Sequence, residues 1–397
     1  MIEMVREGGS QRAVARKFRV SLHSVQRWWA RAKGLEFSAV DWSERSHVAH
    51  HIANKTAADM ERKICALRKE LESNGALGFS GAQTIHETLQ GHKDVGPIPS
   101  VRTIGRILRR EGFLDRARRI RNAAPPAGWY LPGLAERRVD VDCFDVIEDL
   151  RMDGVGLFQV FTARTLWAPL SGAWPAAVAS TAFIIQALQA HWKHNGLPKF
   201  AQFDNDVRFQ GGHNHPDVIG RVMRLCLALG VTPVFVPPLE MGFQGIMENF
   251  NGLWQQKVWA RFHHESLDAL THRSQRFTTA YGQHLARTRE VYPQRRPFPA
   301  NFEMDWQQRP NGQLIYLRRT SDKGVLTLLG HCWEIDPLWQ HRLVRCEIDL
   351  MAGQIRFYRL RRREPSDQPL IKTVSYLLPE RRFDMRPRHR HPLTPIP

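Results

Sequence analysis

Two hydrophobic periodicities divide the chain. Up to about residue 111, apolar positions recur every three or four residues between polar and basic ones, the spacing of amphipathic helices. Gln11–Phe18 is one such helix, with Ala13, Val14, Ala15 and Phe18 apolar. Ser21 is a good N-cap for a second helix that turns Leu22, Val25 and Trp28/Trp29 inward. His23, Ser24, Gln26, Arg27 and Arg31 lie on its outer side. Residues 36–52 read as a linker, and a helix follows over about 55–72, with Met60, Ile64, Leu67 and Leu71 at helical spacing. Next come a short helix over 81–89, a loop containing Pro97 and Pro99, and a helix over 100–111. In the last, Ser100 caps, Val101, Ile104, Ile107 and Leu108 face inward, and Arg102, Arg106, Arg109 and Arg110 face out.

Two short helices joined by a tight turn, the second carrying polar and basic side chains, describe a helix-turn-helix. Residues 1–35 and 53–122 are therefore expected to be two all-α DNA-binding modules. Their contacts would come from Ser21, His23, Ser24, Gln26, Arg27 and Arg31 in the first, and from Arg102, Arg106, Arg109 and Arg110 in the second. The turn of the first module has Arg19 where glycine is usual.

Beyond the basic run 116–121 and the breaker Pro125-Pro126, the pattern changes. It predicts strands at 138–147, 155–162 and 165–173, a helix at 177–194 and a strand at 199–204. A helix at 216–229, a strand at 231–236 and helices at 242–261 and 266–288 follow. That order implies a mixed sheet covered on both faces, an α/β domain over about 137–290. After a Pro/Arg-rich connector at 292–299, short strand-like runs at 313–318, 325–329, 331–335, 343–350 and 354–359 predict a small β-barrel over 312–384. The fold class expected is thus multidomain: helical modules, an α/β core and a terminal barrel.

Charge sharpens this division. The chain of 397 residues carries +18 overall. Residues 1–138 hold 25 basic and 14 acidic side chains, a net +11, and residues 261–397 hold 24 and 14, a net +10. The middle, 139–260, holds 8 and 11, a net −3. Basic arms around an acidic centre suit a polyanion gripped at the flanks and processed between them. No apolar run is long enough for a membrane span. The start lacks the character of a secretory leader, and the five cysteines stand singly. A cytoplasmic, nucleoid-associated protein with reduced thiols and no membrane partner is expected.

The acids of the middle are oddly placed. Asp140, Asp142 and Asp145 lie on the apolar strand 138–147, Asp204 ends the strand 199–204, and Glu248 lies beside the apolar stripe of the helix 242–261. Period-two alternation puts Asp140, Asp142 and Phe144 on one face, and Asp145 with Val141, Cys143 and Ile147 on the other. Carboxylates are rarely buried without partners. Phosphodiester chemistry by two divalent ions about 4 Å apart needs such carboxylates converging on rigid elements. Several histidine pairs, His191/His194 among them, have no cysteine at zinc-ligand spacing and read as core or solvated side chains.

In Asp142-Cys143, Phe203-Asp204-Asn205 and the run from Pro237-Pro238 to Gly245-Ile-Met-Glu-Asn-Phe-Asn251, the sequence resembles DDE transposases and retroviral-type integrases. It is most similar to the integrase-core transposases of bacterial insertion sequences. The resemblance spans nearly the whole chain and implies an RNase H-like core between helix-turn-helix modules and a barrel like that of Mu-type transposases. It implies Asp142, Asp204 and Glu248 as the catalytic, metal-binding triad, with Asp140 and Asp145 as alternatives for the first acid. Asn205 and Asn251 match asparagines of the same motifs. It further implies two Mg2+ or Mn2+ ions, double-stranded transposon-end and target DNA as partners, and a homo-multimer on paired ends. The activity implied is metal-dependent 3′-end cleavage followed by strand transfer. A DNA-binding regulator with a silent core and an RNase H-like nuclease without strand transfer are the alternatives. The sequence departs from the family at Asp206, where glycine is usual, and in the long 44-residue step from Asp204 to Glu248, which residues 210–216 lengthen.

Overall fold

A computed structural model describes residues 1–44, 56–92, 96–114, 125–212, 215–240, 242–287 and 291–379. The basic run 116–121, the second half of the 36–52 linker and the Arg/Pro/His-rich end lie outside these residues. The chain divides into two units, Met1–Glu61 and Arg62–Pro397.

In the first unit, α1 (Ile2–Arg6), α2 (Gln11–Phe18) and α3 (Leu22–Ala32) enclose small cores around Val14, Ala15 and Val25 and around Ile2, Ala32 and Val40. The Ser21 hydroxyl accepts from the Ser24 amide, closing the first turn of α3 as its sequence predicts. Arg19 takes the left-handed conformation, φ 54° and ψ 39°, that a glycine would adopt without strain.

In the second unit, most of α4 (Ala58–Ser73), whose first turn belongs to the first unit, and then α5 (Ala82–Gln90) and α6 (Val101–Arg110) precede the sheet. Ser100 caps α6 through the Thr103 amide. Ile104, Ile107 and Leu108 are buried, and Arg102, Arg106, Arg109 and Arg110 are exposed, as helical spacing requires.

The strands β1 (Val141–Met152), β2 (Gly156–Thr165), β3 (Ser171–Ala176), β4 (Phe200–Phe203) and β5 (Thr232–Phe235) form a mixed sheet. β1 to β3 are antiparallel, while β4 runs parallel to β1 and β5 parallel to β4. The break expected near residue 163 falls instead at 166–170, because β2 stays paired with β1 through Asp142 opposite Thr165. One face of the sheet carries α7 (Thr181–Asn195) and α9 (Arg221–Ala228), and the short α8 (Val207–Gln210) lies between them in sequence. α10 (Gly245–Trp254), a π-helical turn at Gln255–Trp259 and α11 (Leu267–Ala286) cover the other. Residues expected to form a boundary are also part of this unit: Trp129, Tyr130, Leu131 and Leu134 are buried in the second face's core.

The terminal barrel is not found among the described residues. β6 (Gln313–Arg319) pairs parallel with β5, and β9 (Leu343–Asp349), β10 (Gln354–Leu360) and β11 (Leu370–Ser375) continue outward, giving the nine-stranded order β11-β10-β9-β6-β5-β4-β1-β2-β3. Only β7 (Val325–Leu328) and β8 (His331–Glu334) stand apart, as a hairpin. The reason is visible in β6. Leu314, Ile315, Tyr316 and Leu317 are all buried, so the strand needs apolar cover on both faces, which an interior position supplies.

Candidate active site

Strand polarity brings the C-terminal ends of β4, β5 and β6 to one edge of the sheet, beside the middle of the longer β1, a common location for reactive groups in such sheets. Parallel pairing of Cys143 with Gln202 fixes the register of β1 and β4. Two residues further along each strand are Asp145 and Asp204, level with one another and on the same face. At the usual strand spacing their backbones lie about 5 Å apart. This is also the face that α10 covers.

Asn251 on α10 donates from Nδ2 to Asp145 Oδ2 at 2.8 Å, and its Oδ1 accepts from the Thr162 hydroxyl at 2.8 Å. Thr162 lies directly opposite Asp145 on β2, so three elements hold one carboxylate. Glu248 stands one helical turn before Asn251, exposed, in the first turn of α10. Met247, Phe250 and Trp254 anchor that helix in the core. Burial pushes the Asp145 carboxyl up to about 6, and the charge of Asp204 adds to the shift. Asp204 is raised too, chiefly by burial, against the hydrogen bond that its Oδ1 accepts from the Asp206 amide at 3.1 Å.

Asp142, the expected first acid, lies on the opposite face and does not join this group. It is fully buried against α7 and the connector after α11. Arg295 grips it with two guanidinium bonds of 2.9 and 2.7 Å, the Thr165 hydroxyl donates at 2.6 Å and Trp192 Nε1 at 2.9 Å. Burial alone would raise its pKa, but the charge and hydrogen bonds of Arg295 outweigh that and lower it to about 2. Asp140 is equally committed, accepting backbone amides of Val141, Trp167 and Ala168. The alternation of β1 therefore separates Asp142, gripped by Arg295, from Asp145, which faces α10 and Asp204 and accepts from Asn251 and from the Val146 amide.

Asp206, the departure from glycine, caps α8 through the Arg208 amide and binds the Arg208 side chain. Arg208 also reaches Glu148 at 2.7 Å, so a cation stands beside the acidic pair. Asn205 donates to the Val236 carbonyl at 2.7 Å and accepts from Gln210 and Arg318, tying the ends of β4, β5 and β6 together.

Sequence periodicity gave no sign that Thr162 would face Asp145 or that Arg295 would grip Asp142. Both partners are distant in sequence, and only the folding of strands and connector brings them near. Of the DNA-contact residues expected in the first unit, His23, Gln26 and Arg27 are exposed. Ser21 and Ser24 bond one another. Arg31 is half-buried, stacked over Trp28 and donating to the Ser43 carbonyl at 2.8 Å.

Among the described residues, no group of three or more His, Cys, Asp or Glu side chains is close enough to hold a metal ion by itself. No described helix is long and apolar enough to cross a membrane.

No family model matches this chain, and no curated protein does. Among solved structures, the simian T-cell lymphotropic virus intasome in complex with PP2A regulatory subunit B56 gamma matches with a TM-score of 0.31 and 12% identity. The match covers 70% of this chain and 88% of that one. A likeness of that size fixes neither family nor activity.

Proposed function

We propose that the chain is a metal-dependent DNA phosphodiester-transfer enzyme, a transposase of the DDE type, with Asp145, Asp204 and Glu248 as its acids. One observation carries the reading: Asp145 and Asp204 are level neighbours at the C-terminal edge of the parallel strands, on the face that presents α10. Asp204 and Glu248 lie in motifs of the resemblance noted above, and Asp145 stands three residues beyond the Asp142 that it implied.

The residues fit a divalent cation. Two adjacent, partly buried carboxylates both have pKa values raised chiefly by burial, and Arg208 beside them is already bound to Asp206 and Glu148, so a cation between them would be favoured. Mg2+ keeps several waters and needs only one or two carboxylates. Asp145 and Asp204 would hold it, with Glu248 reaching in from α10. When bound, the cation supplies Lewis-acid charge to the phosphodiester.

The chain's own residues do the rest. Asn251 and Thr162 fix the Asp145 rotamer, and the Asp206 amide fixes Asp204, so neither carboxylate has to be ordered when DNA arrives. The exposed arginines of α6 would hold the duplex by its phosphates.

The test is nicking of a supercoiled plasmid in Mn2+ by the whole chain. Wild type should nick, Asp204→Asn and Asp145→Asn should not, and chelation should stop the reaction. Undiminished nicking by Asp204→Asn would sink the assignment.

A further inference from the structure

A pocket of about 900 Å³ lies beyond the ends of β6 and β10 and the start of β9. Five arginines line it, Arg319, Arg342, Arg361, Arg362 and Arg363, with Glu364 as the one lining carboxylate. Two further acids reach these arginines. Glu240, in the loop after β5, binds Arg319 and also Arg362 at 3.5 Å, and Asp367 shares Arg361 with Glu364. Five guanidiniums less three carboxylates leave two positive charges over. Among the described residues, Arg342 and Arg363 have no carboxylate partner: Arg342 stacks on the buried Trp339 at 5.1 Å and Arg363 is exposed. Like charges gathered in this way favour a polyanion.

The pocket shares a face and an edge with the candidate acids. Arg319 is paired with Leu343, and Leu343 with Leu360, and both leucines belong to the core under α10. Directly opposed residues share a face, so Arg319 is on the face of Asp145 and Asp204. Phe203, Phe235 and Tyr316 are level on β4, β5 and β6. Arg319 is therefore two strands from Asp204, about 10 Å, and two residues further out, about 7 Å. Arg362 follows β10, four strands from β4 and so about 20 Å away. Its guanidinium lies 5.4 Å from the ring centre of Phe243, two residues before the helix that carries Glu248. A duplex rises about 3.4 Å per base pair, so this span corresponds to about four to six base pairs.

We propose that this pocket binds backbone phosphates of the DNA that Asp145 and Asp204 process, about four to six base pairs from the reacting bond, and that Glu240 holds the place of one phosphate until DNA arrives. Glu240 shows what the pocket accepts, an oxyanion between two guanidiniums. Phosphate offers arginine the same paired oxygens and carries the charge of a backbone that continues to Arg342 and Arg363. The inference rests on the functional reading above for its substrate. It adds the path of the DNA along the sheet edge and an internal competitor for that path.

The test is whole-chain binding to a fluorescent duplex of unrelated sequence, in EDTA, as salt is varied. Arg342→Gln and Arg363→Gln should each lower the salt slope by about one. Lys199→Gln, just before β4 at the opposite edge, should leave it unchanged. Glu240→Gln should bind about tenfold tighter, and the gain should vanish in an Arg319→Gln/Arg362→Gln background, where a mere loss of negative charge would still be felt. Circular dichroism confirms that the variants fold. Unchanged slopes in both Arg342→Gln and Arg363→Gln overturn the phosphate cradle. So does displacement of the duplex by inorganic phosphate at the same phosphate concentration. Binding by Glu240→Gln no tighter than wild type, or a gain that survives loss of both arginines, overturns the role of Glu240. Plasmid nicking by the same preparations separates the two readings. Nicking with unchanged slopes sinks the pocket alone, whereas lowered slopes without any nicking by wild type support the pocket and sink the catalytic assignment.

Discussion

Replacing Arg295 by methionine isolates the role of Asp142. The substitution keeps much of the side chain's bulk and removes the cation that holds Asp142 at about 2 against an ordinary 3.8. That depression corresponds to about 2 kcal/mol of stability. Because the folded pKa is lowered, the contribution is fully present above about pH 4 and is lost as the pH falls toward 2. The substitution removes more than this, since it leaves a carboxylate with no exposure facing Trp192 and Thr165 without its counter-ion. Breaking one side of a buried pair costs about 3–5 kcal/mol. Urea unfolding at pH 7, followed by far-ultraviolet circular dichroism, should show a loss of that size for Arg295→Met. The double variant Arg295→Met/Asp142→Asn should recover at least half of it, because no buried charge remains. Between pH 4 and 2 wild type should lose stability that Arg295→Met no longer has to lose. A cost below about 1 kcal/mol for Arg295→Met, or a double variant no more stable than the single, would refute the assignment of Asp142 as a structural acid.

Other expectations follow from the same geometry. Asp145, raised to about 6, favours the folded state when protonated, and that stability is lost as the pH rises through 6. Asp145→Asn should therefore raise the melting temperature more at pH 8 than at pH 5. Mn2+ affinity of wild type should climb from pH 5 to 7 and then level off. If the exposed arginines of α6 meet phosphates, Arg106→Ala should weaken binding to every duplex and lower the salt slope by about one; an unchanged slope removes Arg106 from the interface. Arg19→Gly relieves a left-handed φ of 54° and should stabilise the first unit by up to about 1 kcal/mol in thermal unfolding.

How much of this could be read in the sequence depends on the range of the interaction concerned. Ser21 and Ser100 cap their helices where local patterning puts them, because a cap is decided within four residues. Asp204 and Glu248 fall at a strand end and in the first turn of a helix, as their flanking apolar residues foretell. The choice among three aspartates on β1 is different. Alternation correctly separates Asp142 from Asp145, yet says nothing about which face α10 will cover. That depends on packing between residues about a hundred positions apart, Asn251 against Asp145 among them. The C-terminal strands fail for a related reason. Their spacing announces a run of short strands, and the partner of β6, β5, lies some eighty residues earlier. Four consecutive apolar residues, Leu314-Ile315-Tyr316-Leu317, were the available hint of an interior strand.

Electron paramagnetic resonance of Mn2+ titrated into the whole chain tests the central claim most directly, since it reads the carboxylates without requiring the correct DNA. Wild type and Asp142→Asn, if folded, should both broaden the free-ion signal, and Asp145→Asn and Asp204→Asn should each leave it unbound. Binding that survives Asp145→Asn and vanishes in Asp142→Asn would contradict the site.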